Sequence, residues 1–132
     1  MNIAFVVDKD LKISKHFGRA PYYLIVTVEE GQIISREKRE KLGHRQFSHL
    51  PHEHAHANDP HGLSAASQSK HTQMIANIQD CEVVICGGMG TGAYMNMVSA
   101  GIQPIITDMD EVDPAVQAYL EGRLANRTEY LH

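Results

Sequence analysis

The sequence has little of what marks three broad classes of protein. Basic residues are few and scattered: twelve Lys and Arg stand against sixteen Asp and Glu, for a formal net charge of -4. Without a basic block there is little electrostatic footprint for a phosphate backbone or an anionic bilayer, so neither nucleic acid nor a membrane surface is an expected partner. Cysteine is nearly absent, with Cys81 and Cys86 the only two. Two are too few for a disulfide framework, and their placement within one expected strand is poor for pairing, so both are expected as free thiols. Long hydrophobic runs are also missing. None approaches the roughly 18 residues of a membrane span, and Met1 runs into the apolar stretch Ile3 to Val7 without a basic leader region or cleavage site. A cytoplasmic protein is expected.

What is there suits one domain, residues 1–132, with 42% hydrophobic and 21% charged side chains, enough to close a core without disulfides. The unusual abundance is histidine. There are nine, of which His44, His49, His52, His54, His56, His61 and His71 fall within one stretch.

Asn2 to Val7 is a continuous apolar run, which fits a strand buried on both faces. Tyr22 to Val28 and Gln32 to Lys38 are rich in aromatic and β-branched residues and flank Glu29-Glu30-Gly31, the signal of an antiparallel hairpin. Arg36 to Lys41 alternates in sign, as a solvated edge strand does. From Leu42 to about Ala65 no apolar period is sustained, which predicts a long histidine-rich loop. Ser67 to Gln79 has the spacing of an amphipathic helix. Cys81 to Cys86 is another buried strand, Ala93 to Ala100 a short helix stopped by Gly101, and Ile102 to Thr107 a strand placed at an edge by Pro104. Asp113-Pro114 caps a last helix to about Leu120. The expected fold is α/β: a mixed five-stranded sheet of order 3-2-1-4-5 with flanking helices. Right-handed crossovers make the first and fourth strands parallel neighbours, and their junction is a topological switch point of the kind that binds ligands.

Two loops leave those strands at the same end: Ser14 to Ala20 after the first and Gly87 to Ala93 after the fourth. The second is glycine-rich and enters a helix, so its backbone N–H groups and the helix end are suited to an anion. Arg19 adds a cation, His16 an imidazole for a metal or an oxyanion, and Cys86 a thiolate for a soft metal. Each has a plainer alternative. The glycines serve tight packing equally well, GGMGTG matches neither a P-loop nor a dinucleotide fingerprint, and a cysteine ending a buried strand serves as a small core residue.

The motif HFGRA at His16 to Ala20, followed by Tyr22-Tyr23, and CGGMGTGA at Cys86 to Ala93, followed by Ala100-Gly101-Ile102, together resemble the dinitrogenase iron-molybdenum cofactor biosynthesis family. The resemblance covers both halves of the chain, apart from the histidine-rich loop and the tail after about Leu120. It implies a ribonuclease H-like fold and a non-enzymatic binder of an iron-sulfur or molybdenum-containing cluster or similar anionic ligand, working with cofactor-assembly proteins. It places His16 as a metal ligand. Phe17, Gly18 and Arg19, with Gly87, Gly88, Met89, Gly90, Thr91 and Gly92, surround the cluster, and Cys86 falls where some members carry cysteine.

The histidine-rich loop departs from the family pattern. His49, His52, His54 and His56 form H-x-x-H-x-H-x-H, and alternating residues of an extended segment share a side, so Zn or Ni is the alternative cargo, with adventitious binding by a polar loop kept beside it. An enzyme is not expected. Asp8, Asp10, Asp108 and Asp110 follow the first and last strands, but the central strand ends in Cys86-Gly87 without the carboxylate that two-metal hydrolysis would need there, and nothing activates Ser14 beside His16 as a nucleophile.

Overall fold

The computed structural model describes residues 1–41 and 75–131. The expected loop at 42–65, with His49, His52, His54 and His56, therefore lies outside the described residues, as do His44, His61, His71 and His132. Of the helix expected at Ser67–Gln79, residues 75–79 are described: 75–76 are helical, and the chain is already in a turn at 77–79, short of the expected end at Gln79.

The strands are β1 (Asn2–Val7), β2 (Tyr22–Glu29), β3 (Gln32–Glu40), β4 (Val83–Cys86) and β5 (Gln103–Ile106); two α-helices follow β4 and β5, α1 (Thr91–Ser99) and α2 (Val112–Leu120), and a 3-10 turn lies at Thr128–Tyr130. They form the expected five-stranded sheet of order β3-β2-β1-β4-β5. β2 runs antiparallel to both β1 and β3, while β4 is parallel to β1 and β5. β2 and β3 join through Glu30 (φ 53) and Gly31 (φ 76). Positive φ at both central residues is the two-residue turn whose twist matches a hairpin, and the glutamate takes it at some cost.

β1 sits at the centre because both its faces are apolar. Ile3, Phe5 and Val7 pack with Val26, Ile85, Val112 and Val116 under α2, while Ala4 and Val6 pack on the other face with Tyr23, Val84, Met97 and Ile78. Each fully buried side chain of this size stabilises the fold by about 1.5–3 kcal/mol. Pro104 lies in the edge strand β5, as expected. Further along that rim, Ile106 N–H donates to Asn126 Oδ1 at 2.9 Å and Ile106 C=O accepts Arg127 N–H at 2.7 Å.

Two expectations are corrected. α2 begins at Val112 with Glu111 at its N-cap position; Asp113 is inside the first turn, where it pairs with Arg36 at 2.9 Å. Pro114 is accommodated there because first-turn N–H groups have no intrahelical partner to lose. The charged run is exposed at Arg36, Glu37, Lys38 and Glu40 and half-buried at Arg39, but Lys41 is buried, 1% exposed. Strand alternation puts Lys41 on the same face as Arg39, whose register partner is Tyr23 of the core, and Lys41 lies where β3 reaches the loop before β2.

Candidate functional site

β1 and β4 pair from Ile3–Val83 to Phe5–Ile85, and beyond that point the chain itself bridges their carboxyl ends. After β1 it reverses through Asp8 to Lys12, with Leu11 at φ 64 and Asp8 N–H bonded to Lys12 C=O at 2.9 Å. Ser14 then lies between the two strands: its N–H donates to Val6 C=O at 2.8 Å and its C=O accepts Gly87 N–H at 2.7 Å. This close approach requires glycine at position 87, since a Cβ there would stand 2.9 Å from both Ser14 O and Lys15 Cγ.

The two loops touch again one step on, where Phe17 N–H donates to Gly88 C=O at 3.1 Å. The first loop is tightly wound. His16 N–H donates to Ser14 Oγ at 3.1 Å, and His16 C=O accepts from both Arg19 and Ala20 N–H at 3.1 Å. Phe17 and Ala20 anchor this turn in the core, which leaves His16, Gly18 and Arg19 exposed. In the second loop Gly88 is buried, and Met89 (1% exposed) joins the same core cluster as Phe17. Gly90 is the N-cap of α1, Thr91 and Gly92 are exposed, and the first turn carries neither a side-chain cap nor an acidic residue. The partial positive charge of that helix end is therefore unopposed by its own first turn.

The sequence-predicted residues thus fall into two groups. His16, Gly18, Arg19, Gly90, Thr91 and Gly92 reach or approach the surface on two loops that are bonded to each other. Phe17, Gly88, Met89 and Cys86 face inward. For Cys86 the structure favours the core alternative: its sulfur is fully buried and donates to Gly88 C=O at 3.0 Å and Ser14 C=O at 3.3 Å. Burial pushes this thiol up to about 11, although the neighbouring Gly88 backbone and Lys41 oppose the rise. A thiol so held does not present a thiolate to the crevice at neutral pH. Cys81 is likewise a free, buried thiol, raised to about 12 chiefly by burial. Among the described residues no three His, Cys, Asp or Glu side chains gather as a metal-ligating group.

Two residues that matter here were not singled out for these roles by sequence. Ser14, 2% exposed, is the backbone bridge between the strands. Its signal was only its place just ahead of the HFG motif. Lys41 is the other. Its N–H donates to Pro21 C=O at 2.9 Å, its Nζ lies 4.3 Å from the Phe17 ring centroid, and that Nζ is buried without a hydrogen-bond partner. Desolvation pulls its pKa down to about 8 against the mild opposition of Cys86. Two-residue alternation from the core-facing side of β3 was the signal available, and the sign alternation of the run concealed it.

Over residues 1–122 the sequence matches the family described as dinitrogenase iron-molybdenum cofactor. An uncharacterized protein of Methanocaldococcus jannaschii is 28% identical over 124 residues, covering 94% of this chain and 89% of that relative. The crystal structure of PH0822 is similar with a TM-score of 0.68 at 22% identity, over 98% of this chain and 97% of the other. The apo form of the orange protein from Desulfovibrio gigas is similar with a TM-score of 0.63 at 20% identity, over 95% of this chain and 91% of the other. At these identities the two structures speak for the fold.

Proposed function

The chain belongs to the dinitrogenase iron-molybdenum cofactor family, and from that premise we propose that it binds and carries an anionic iron- or molybdenum-containing metal–sulfur cluster without catalysing a reaction. The observation that carries this reading is the direct bond between the loops, Phe17 N–H to Gly88 C=O at 3.1 Å. It fixes the exposed imidazole of His16 relative to the uncapped end of α1. His16 is the ligand to the metal. Arg19 and the N–H groups of the first helical turn answer the negative charge of the sulfides. Cys86, turned inward, is left out of the ligand set.

Three finer assignments go with this reading. The sheet is classed as ribonuclease H-like, the cluster is cargo handed on to cofactor-assembly proteins, and the work is done in the cytoplasm, where the two thiols stay reduced. Family membership and the paired loops support these assignments through the resemblance.

Anaerobic reconstitution with iron, sulfide and molybdate tests the reading. Loaded protein shows visible charge-transfer absorption that weakens in His16→Ala. Colourless, metal-free wild-type protein after such treatment overturns it.

A further inference from the structure

Lys41 is the described charge that the fold explains least. An ammonium with 1% exposure and no hydrogen-bond partner is costly, because buried charges are ordinarily paired. Arg127 Nε is also buried without a hydrogen bond, but its guanidinium has Asp108 at 3.6 Å and Glu129 at 3.8 Å. Lys41 has the face of the Phe17 ring at 4.3 Å and, within electrostatic reach, the neutral thiol of Cys86. The ring attracts the cation without neutralising it.

The placement of this charge is as informative as its isolation. Lys41 follows the carboxyl end of β3, bonded to Pro21 just after the HFG motif. The ring it lies against belongs to the residue whose N–H joins the two loops. The amine therefore lies behind the same loops that carry His16, Arg19 and the uncapped start of α1.

We propose that Lys41 is a buried counter-charge of the ligand site, selecting a polyanionic metal–sulfur species at the paired loops over a bare divalent cation. The inference rests on the carrier reading and deepens it by naming a selecting residue outside both motifs. Phe17 covers the amine, so Lys41 acts across the loop as a charge and not as a metal ligand. In a water-poor setting such a charge is only weakly screened. An anion that binds in front of the loops provides the compensation the fold omits. A divalent cation meets repulsion there instead.

Tetrathiomolybdate, a coloured dianion, is the probe. It is titrated anaerobically into the full chain as wild type, Lys41→Met, Lys41→Arg and His16→Ala, with unfolding midpoints measured alongside. Lys41→Met should weaken dianion binding by about 10- to 100-fold while unfolding no earlier than wild type, and Lys41→Arg should stay within about threefold of wild type because it keeps the charge. Equal affinity in wild type and Lys41→Met overturns the role of Lys41 while leaving the carrier reading in place. Equal loss in Lys41→Met and Lys41→Arg also overturns it, since charge is then not the property that matters. A wild-type chain that binds no dianion overturns the inference together with the anionic cargo.

Discussion

Arg39, near the end of β3, and Lys41, just past it, stand two residues apart on one side of the chain, and their surroundings are opposite. Arg39 is fully answered: Asp80 accepts from its two Nη atoms at 2.8 and 2.9 Å, Asn77 C=O accepts at 2.6 Å and Glu37 accepts at 2.6 Å. Asn77 returns a bond to Glu40 C=O at 2.7 Å, so this corner ties β3 to the turn that leads into β4. Asp80 is held down to about 2, first by its hydrogen bonds from Arg39. Lys41 has none of this. A charge with a complete set of partners is architecture. A charge that the same fold buries behind the paired loops, and leaves without a hydrogen bond, is on the carrier reading there for the ligand, because stability alone would favour an apolar residue.

The contrast breaks most severely at Gly87, whose close approach to Ser14 and Lys15 holds the two loops together. Gly87→Val should destabilise by about 3 kcal/mol by forcing Ser14 and Lys15 away, seen as a lower unfolding midpoint together with loss of ligand binding. Lys41→Met should do the reverse to stability, raising it by about 2 kcal/mol at neutral pH. An ordinary lysine keeps its proton to 10.5, whereas this one gives it up near 8. The cost of burying the ammonium is therefore full below pH 8 and fades as pH rises towards 10.5. Denaturant unfolding of the two proteins side by side should show a gap that closes over that window; a gap constant with pH would remove the buried charge as its cause.

Arg39→Met should cost about 1 kcal/mol, since the pair is partly exposed, and should leave dianion affinity unchanged. Its sign in acid is fixed by Asp80. The carboxylate contributes stability above its ordinary value of 3.8 and loses it as pH falls through about 2, so the variant and wild type should converge in strong acid. The smallest effect is expected at the other end of the sheet, where Glu30→Asn at positive φ should add about 0.5 kcal/mol through a better turn residue, with no effect on ligand binding.

The order of the sheet was legible because the apolar runs of β1 and β4 have no polar face and can only be central, while the Glu-Gly turn and Pro104 mark a hairpin and an edge. The meeting of the two loops followed from that order. Lys41 was not legible in the same way, because a run of alternating charge describes a solvated edge until its last residue passes the end of the strand beside the Phe17 loop. Cys86 was ambiguous for a different reason. Sequence cannot say which way the last side chain of a strand turns, and here backbone carbonyls of Ser14 and Gly88 draw the sulfur inward. The histidine series from His49 to His56 lies outside the described residues.

The tail beyond α2 completes the sheet in a way that matters for solubility. At Ile106 the outward-facing backbone pair is already taken by Asn126 and Arg127, and Pro104 offers no donor on the same rim. A foreign strand seeking to extend the sheet from this side finds its template occupied. Removing the last seven residues would strip that cover and convert a quiet border into a nucleus for self-association.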